Sequence, residues 1–431
     1  MRYLLLLALL ALATPAEARL APAERRMAET VDREAGRTVA LLERLVNRNS
    51  GTLNLEGVRA VGEMIRAELE PLGFTVRWAD MAETGRAGHL VATHAGRGRN
   101  ILLIGHLDTV FEPDSPFQTF TRNGSRATGP GIGDDKGGLV VIVAALRAMH
   151  AAGTLRTANV TIVLTGDEER VGAPLAIARR DLIEAGRRAD FALEFENLAT
   201  EDGREFGSVA RRSSTNWTLT ARGRTGHSAG VCGPGLGCGA IYEMARILDS
   251  FRRELPEPNL TYNVGVIAGG TPATIDADGF RAAASGKTNI VAETAIARGD
   301  IRTLSREQET RARAAMQAVV AQHLPRTSAE LVFADDGYPP MAPTDGNRAL
   351  LARLNGVNRD LGLAEMAEFD PARRGAADSS FVAGDVDTLA GLGAAGGGTH
   401  AEGEWVDLDS LPRQAKRAAI LITRLTRERR R

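Results

Sequence analysis

The sequence predicts an α/β protein: a mixed, mostly parallel sheet between helices, interrupted by a smaller α+β insertion. Through roughly the first 200 residues, short unbroken apolar runs alternate with helical apolar patterns. Strands covered on both faces alternate with crossover helices in this way. Near Ser208 the pattern turns to polar–apolar alternation, and from about Leu331 the α/β pattern resumes. A length of 431 residues leaves room for two or three domains at roughly 100–200 residues each.

The elements follow in order. Arg2 precedes an apolar run over 4–13, and Pro15 precedes the small-x-small signal Ala16-Glu17-Ala18. That pattern predicts a signal peptide over 1–18, with a mature chain beginning near Arg19. The run is shorter than the ~20 residues a membrane helix needs, and no later stretch approaches that length. The expectation is an exported protein, periplasmic or secreted, with no membrane span in its mature form. Residues 100–105 (N-I-L-L-I-G) form a buried strand, 138–152 a helix, 158–165 (A-N-V-T-I-V-L-T) a second strand and 190–195 a third. Over 209–326 the expected elements are a strand at 215–221, a turn-rich stretch at 223–239 and a helix at 240–255. Strands at 262–268 and 294–301 and a helix at 306–323 complete it. Ser305 with Gln308 is a capping-box start for that last helix. A terminal helix opens at Ser410 and Pro412 and ends in a basic run that suits its dipole.

Composition narrows the function. Hydrophobic residues at 43% and charged residues at 25% exclude wholesale disorder. Lys and Arg number 53 against 54 Asp and Glu, which leaves no basic footprint for nucleic acid. Two cysteines cannot build a disulfide scaffold or a four-thiolate zinc site. A metal would need carboxylates and some of the seven histidines.

Five motifs lie just after strand ends or glycine-rich turns, where open α/β sheets place their sites. In Gly105-His106-Leu107-Asp108-Thr109 the carboxylate can take the imidazole's second N–H and so orient a metal-binding histidine. Gly129-Pro130-Gly131-Ile132-Gly133-Asp134-Asp135-Lys136-Gly137-Gly138 is a tight loop opening into a helix. It is not a phosphate loop, because Gly137 rather than Ser or Thr follows Lys136. Paired aspartates also favour a cation. Thr165-Gly166-Asp167-Glu168-Glu169 sets three carboxylates at a strand end, which demands a compensating positive charge. Leu193-Glu194-Phe195-Glu196 and Thr399-His400-Ala401-Glu402-Gly403-Glu404 supply further candidate ligands.

Taken together and in this order, the motifs resemble those of the co-catalytic di-zinc aminoacylases and exopeptidases, most closely the exported glutamate carboxypeptidase branch. The likeness runs from about residue 40 to 425. It implies a zinc-exopeptidase-like catalytic domain in two segments, 19–208 and 327–431, and a ferredoxin-like lid and dimerisation domain over 209–326. It implies two Zn²⁺ per subunit, with Asp134 as the bridge, His106 and Glu196 on one metal, and Glu169 and His400 on the other. Glu168 corresponds to the general base and Asp108 to the carboxylate that orients the histidine. Two zinc ions bring +4, and three carboxylates with one bridging hydroxide bring −4, so the inner site is neutral and each metal four-coordinate. The implied reaction is hydrolysis of an amide bond to a C-terminal amino acid by that hydroxide, with Glu168 carrying the proton.

In the insertion, Gly226-His227-Ser228-Ala229-Gly230 resembles the motif whose histidine stabilises the oxyanion, often in a neighbouring subunit. A homodimer through the insertion follows from that likeness. Asn289 and Arg302 correspond to positions that hold the substrate's carboxylate. Relatives that release glutamate carry an arginine near the return from the insertion. Here that stretch is Ala334-Asp335-Asp336-Gly337-Tyr338-Pro339-Pro340, so a neutral or basic released residue is expected from a small peptide or N-acyl amino acid. An N-acyl-amino-acid deacylase shares the same metal set, and export disfavours it. A non-catalytic binding protein would have lost Glu168 or a ligand. Cys232 and Cys238 flank a short loop, and an oxidising compartment would allow a bridge between them.

Overall fold

The computed structural model describes residues 20–276 and 279–429. The expected signal peptide, 1–18, lies outside the described residues. A six-stranded sheet runs in the order Thr75–Ala79, His89–His94, Asn159–Thr165, Asn100–His106, Phe191–Glu194 and Thr388–Leu389. The first two joins are antiparallel and the last three parallel. Asn100–His106 sits between parallel neighbours and is buried from Ile101 onward, which explains its unbroken apolar run. His106 pairs with Thr165 and Ile104 with Glu194, so the carboxyl ends of three strands open at one edge of the sheet.

Helices cover both faces. Lys136–Ala151 is buried along almost its whole length, packed against Pro22–Arg33, Ala35–Val46 and the terminal helix Ser410–Arg427. Its first turn needs glycine: a Cβ on Gly138 would lie 1.9 Å from the Phe195 carbonyl oxygen. The helix N-terminus can therefore press against the end of a neighbouring strand. On the other face Leu182, of the helix Arg180–Arg188, packs in one cluster with Phe381 and Val382.

The smaller sheet is wholly antiparallel, in the order Thr261–Gly270, Thr294–Arg302, Thr215–Arg222 and Ser328–Phe333. Helices Ala240–Glu254 and Arg306–Val320 pack on it around Trp217, Leu219, Ile247, Phe251 and Met316. Strand, helix, two strands, helix, strand is the ferredoxin-like order. One boundary is corrected. The expected return to the main domain at 327 comes too early, because Ser328–Phe333 pairs with Thr215–Arg222 and closes the smaller sheet. It is an edge strand with only Leu331 buried, so it carries little apolar signal.

Ser305 Oγ accepts the Gln308 N–H at 3.1 Å, as expected of an N-cap. The return bond from Gln308 Oε1 reaches the N–H of Leu304 rather than of Ser305. Cys232 and Cys238 are joined by a disulfide.

Candidate metal centre

The carboxyl ends of three central strands, the loop before Lys136–Ala151 and the turn after Gly396–Gly397 bring the five expected ligands to one place. His106 ends its strand and is buried, with Nε2 2.9 Å from Asp134 Oδ1. The other oxygen of Asp134 lies 3.3 Å from His400 Nε2, which is also 3.1 Å from Glu169 Oε2. Asp134 thus stands between two imidazoles, one on each oxygen. The ligand atoms of His106, Asp134 and Glu169 lie within 4.8 Å of one another, and so do those of His106, Glu168 and Glu196. His400 is presented by a backbone at φ +63°, just after a glycine-rich stretch, and its side chain is 56% exposed.

Asp108 has a larger task than orienting His106. Its carboxylate takes the Thr52 hydroxyl at 2.7 Å and the backbone N–H groups of Glu168 and Glu169 at 3.0 and 3.1 Å. His106 Nδ1 lies closer to the Asp108 carbonyl, at 3.1 Å, than to its carboxylate, at 3.4 Å. Asp108 therefore fastens the acidic turn to the histidine strand.

Comparison with known proteins then decides the family. The model of the peptidase family M20/M25/M40 matches residues 102–424, well over half of the chain. The chain belongs to this family. Carboxypeptidase G2 of Pseudomonas sp. (strain RS-16) is 28% identical over 394 residues, covering 89% of this chain and 88% of that protein. Succinyl-diaminopimelate desuccinylase of Xylella fastidiosa (strain M12) is 31% identical over 195 residues, 43% of this chain and 49% of that one. Among solved structures, aminopeptidase PepT from Bacillus cereus ATCC 10987 shares the fold with a TM-score of 0.70. It is 20% identical, with 91% of this chain and 98% of that chain covered. The M20 family metallo-carboxypeptidase from Sulfolobus solfataricus gives 0.64 at 15% identity, with 90% and 98% covered. This M20 protein is a hydrolase of the metallopeptidase class.

The electrostatics of the M20 centre call for cations. Burial, and then the charge of Asp134, push Glu169 up to about 7. Burial pushes Glu196 to about 8 despite the opposing Arg211, with Glu194 adding repulsion. Glu168 is raised well above the carboxylate range by burial and by Glu196. His400 is raised to about 10 by its bonds to Asp134 and Glu169. Burial alone would lower His106, but Asp108 and Asp134 outweigh it and raise it well above its usual value. The three glutamates crowd toward neutrality, whereas Asp134, bonded to both imidazoles, is held well below the usual carboxylate range despite its burial; a cluster this anionic favours cations.

The donor set fits divalent metal. Histidine nitrogens and carboxylate oxygens are zinc's ordinary ligands, and bonds of ~2.0–2.1 Å in a tetrahedron set neighbouring ligand atoms ~3.3 Å apart. The contacts of Asp134 and Glu169 with the two imidazoles, at 2.9, 3.1 and 3.3 Å, are close to that spacing. Glu169 Oε1 is buried with no hydrogen-bond partner, an orphan that a metal would satisfy.

Not every expected residue joins the cluster. His227 and Asn289 lie on adjacent exposed loops of the insert, bridged by the Ser228 N–H to the Asn289 carbonyl at 2.9 Å. Arg302 holds Asp300 at 2.8 Å. No contact links these three to His106 or Asp134 among the described residues.

Other residues support the centre, two of them, Glu404 and Lys136, from the motifs and two, Arg211 and Arg179, from outside them. Glu404 accepts the N–H groups of Gly131, Gly133 and Asp134 at 3.2, 2.8 and 2.9 Å, which sets the Asp134 loop. Arg211 is buried, and its Nη2 donates to Glu194 at 2.8 Å and Glu196 at 2.7 Å. The cation demanded by the three-acid turn is Arg179, paired with Asp167. Lys136 turns inward to the Arg48 and Pro130 carbonyls, and burial lowers it to about 7, so the glycine loop offers no phosphate site.

Proposed function

We propose that this M20 enzyme is a di-zinc exopeptidase that releases a C-terminal amino acid bearing a free carboxylate. The observation that carries it is Asp134, each of whose oxygens faces a different histidine. His106 and Glu196 would hold one metal, Glu169 and His400 the other, with Asp134 shared. When bound, the metals supply Lewis acidity toward a water molecule and the scissile carbonyl. Glu168 takes the water's proton and returns it to the leaving nitrogen, a task helped by burial and by Glu196, which raise its pKa and so strengthen it as a base. Asp108 keeps Glu168, Glu169 and His106 in register. His227 serves the oxyanion, and Asn289 and Arg302 serve the terminal carboxylate of the substrate.

The protein is exported by residues 1–18, and the Cys232–Cys238 bridge accords with an oxidising compartment. It pairs through the edge strand Thr261–Gly270, where Val264 and Ile267 are exposed beside Ile241 and Tyr242 of the neighbouring helix. The stretch Ala334–Pro340, near which glutamate-releasing relatives carry an arginine, holds Asp335, Asp336 and Tyr338 instead, so the released residue is neutral or basic. A panel of dipeptides and N-acyl amino acids tests this, and a strong preference for C-terminal Glu or Asp would sink it. The same panel separates peptidase from deacylase, a choice raised by the likeness to a desuccinylase across 49% of its length. The central experiment is zinc content beside turnover for wild type and Glu168→Ala. Two zincs in both, with turnover lowered roughly 10²–10⁴-fold in the variant, is the expected result. Unchanged turnover would reject Glu168 as the base.

A further inference from the structure

We propose that Tyr338 is a positioning residue for Glu168, locked in place by Arg179; this rests on reading Glu168 as the general base. The hydroxyl of Tyr338 donates to the Glu168 carbonyl oxygen at 2.8 Å and accepts from Arg179 Nη2 at 2.9 Å. Its ring packs on Phe381, with centroids 4.8 Å apart. Arg179 is fully buried and fully engaged. Its Nε holds Asp378 at 2.8 Å, its Nη1 holds the Asp167 carboxylate, and its Nη2 also reaches the Asp167 carbonyl at 3.2 Å. Asp378 in turn accepts the Thr165 hydroxyl. The turn that carries the base is therefore anchored on both sides of Glu168.

The peptide of Glu168 itself is gripped at both ends. Asp108 takes its N–H at 3.0 Å, and Tyr338 holds its carbonyl. Its carboxylate, by contrast, has no hydrogen bond among the described residues, although it lies with His106 and Glu196 at ligand distance. A group that carries a proton from water to a leaving nitrogen needs this division: a fixed backbone, so that its reach is defined, and an unheld carboxylate that can swing between two positions. Tyr338 also exchanges backbone hydrogen bonds with Ser214, at 2.8 and 3.0 Å, just ahead of the insert's first strand. The base is thus referenced to the junction of the two domains. A cavity of about 380 Å³ has Glu168, Glu169 and Tyr338 in its wall, so the clamp borders the space that substrate would enter.

Tyr338→Phe removes only the hydroxyl. The expected result is a kcat lowered on the order of tenfold, with KM within about twofold and zinc content unchanged. In a Glu168→Gln background the same change should cause no further loss, because Tyr338 acts through Glu168. Wild-type kcat in Tyr338→Phe, beside an impaired Glu168→Gln, overturns the proposal and leaves the base intact. An equal fall in both backgrounds also overturns it. Wild-type turnover in Glu168→Gln removes the base and the proposal together. Should Tyr338→Phe not fold, Arg179→Lys keeps a cation between Asp167 and Asp378 but loses the fork. It should then lower kcat at constant KM, and an unchanged kcat overturns the proposal.

Discussion

At the scale of single residues, charge pairing decides most of what happens around the M20 centre. Glu194 and Glu196 come from one strand end and share one guanidinium, so Arg211 is what allows both to be buried beside Asp134. Arg211→Met should destabilise the metal-free protein by about 3–5 kcal/mol, because two buried carboxylates lose their partner. Urea unfolding in the presence of chelator measures this. Asp134→Asn should reduce bound zinc below two per chain in elemental analysis, since a neutral amide cannot bridge two cations. His106, Asp134, Glu168, Glu169, Glu196 and His400 were legible in the sequence because strand ends and glycine turns mark them. Arg211 was not, and Glu404 stood in the late histidine motif only as a further candidate ligand, not as the residue that sets the Asp134 loop. Their partners lie 15 and 270 positions away, and no local pattern announces a contact made across the fold.

At the scale of elements, apolar periodicity found the buried strands and missed the exposed one. Asn100–His106 is buried from Ile101 onward and reads as a continuous apolar run, and Asn159–Thr165 reads as a β-branched strand. Ser328–Phe333 pairs along only one edge and buries one residue, so its sequence resembles a loop. The insert's helices depend on their caps. Ser305→Ala should cost about 1 kcal/mol in urea unfolding by freeing the Gln308 N–H. Glu243, in the first turn of Ala240–Glu254, takes Arg246 at 2.7 Å and the Leu324 N–H at 2.9 Å. Burial alone would raise its pKa, but the Arg246 and Leu324 bonds outweigh it and hold the group below its ordinary 4.5. Its folded pKa is depressed, so its stabilisation is full above the unfolded value and is lost as pH falls through the folded one. Glu243→Gln should therefore be less stable than wild type at pH 7, and the gap should close as pH falls through the depressed folded-state pKa. Urea midpoints across pH would record it.

At the scale of the whole molecule, the centre unites residues from both sides of the insert. Chelation should abolish turnover and lower Tm, and added zinc should restore both, because metal binds the folded chain alone. No described helix is long and apolar enough to cross a membrane. The clamp of Glu404 on the Asp134 loop also gives the centre a place in time. A ribosome delivers His106, Asp134, Glu169 and Glu196 first. It must then thread the whole insert and most of the second segment before His400 and Glu404 emerge. Until they do, Asp134 has neither its second imidazole nor the carboxylate that fixes its backbone. The candidate ion site is therefore among the last features the growing chain can complete, and a chain ending short of residue 400 would lack both the second imidazole beside Asp134 and the terminal helix that packs on Lys136–Ala151.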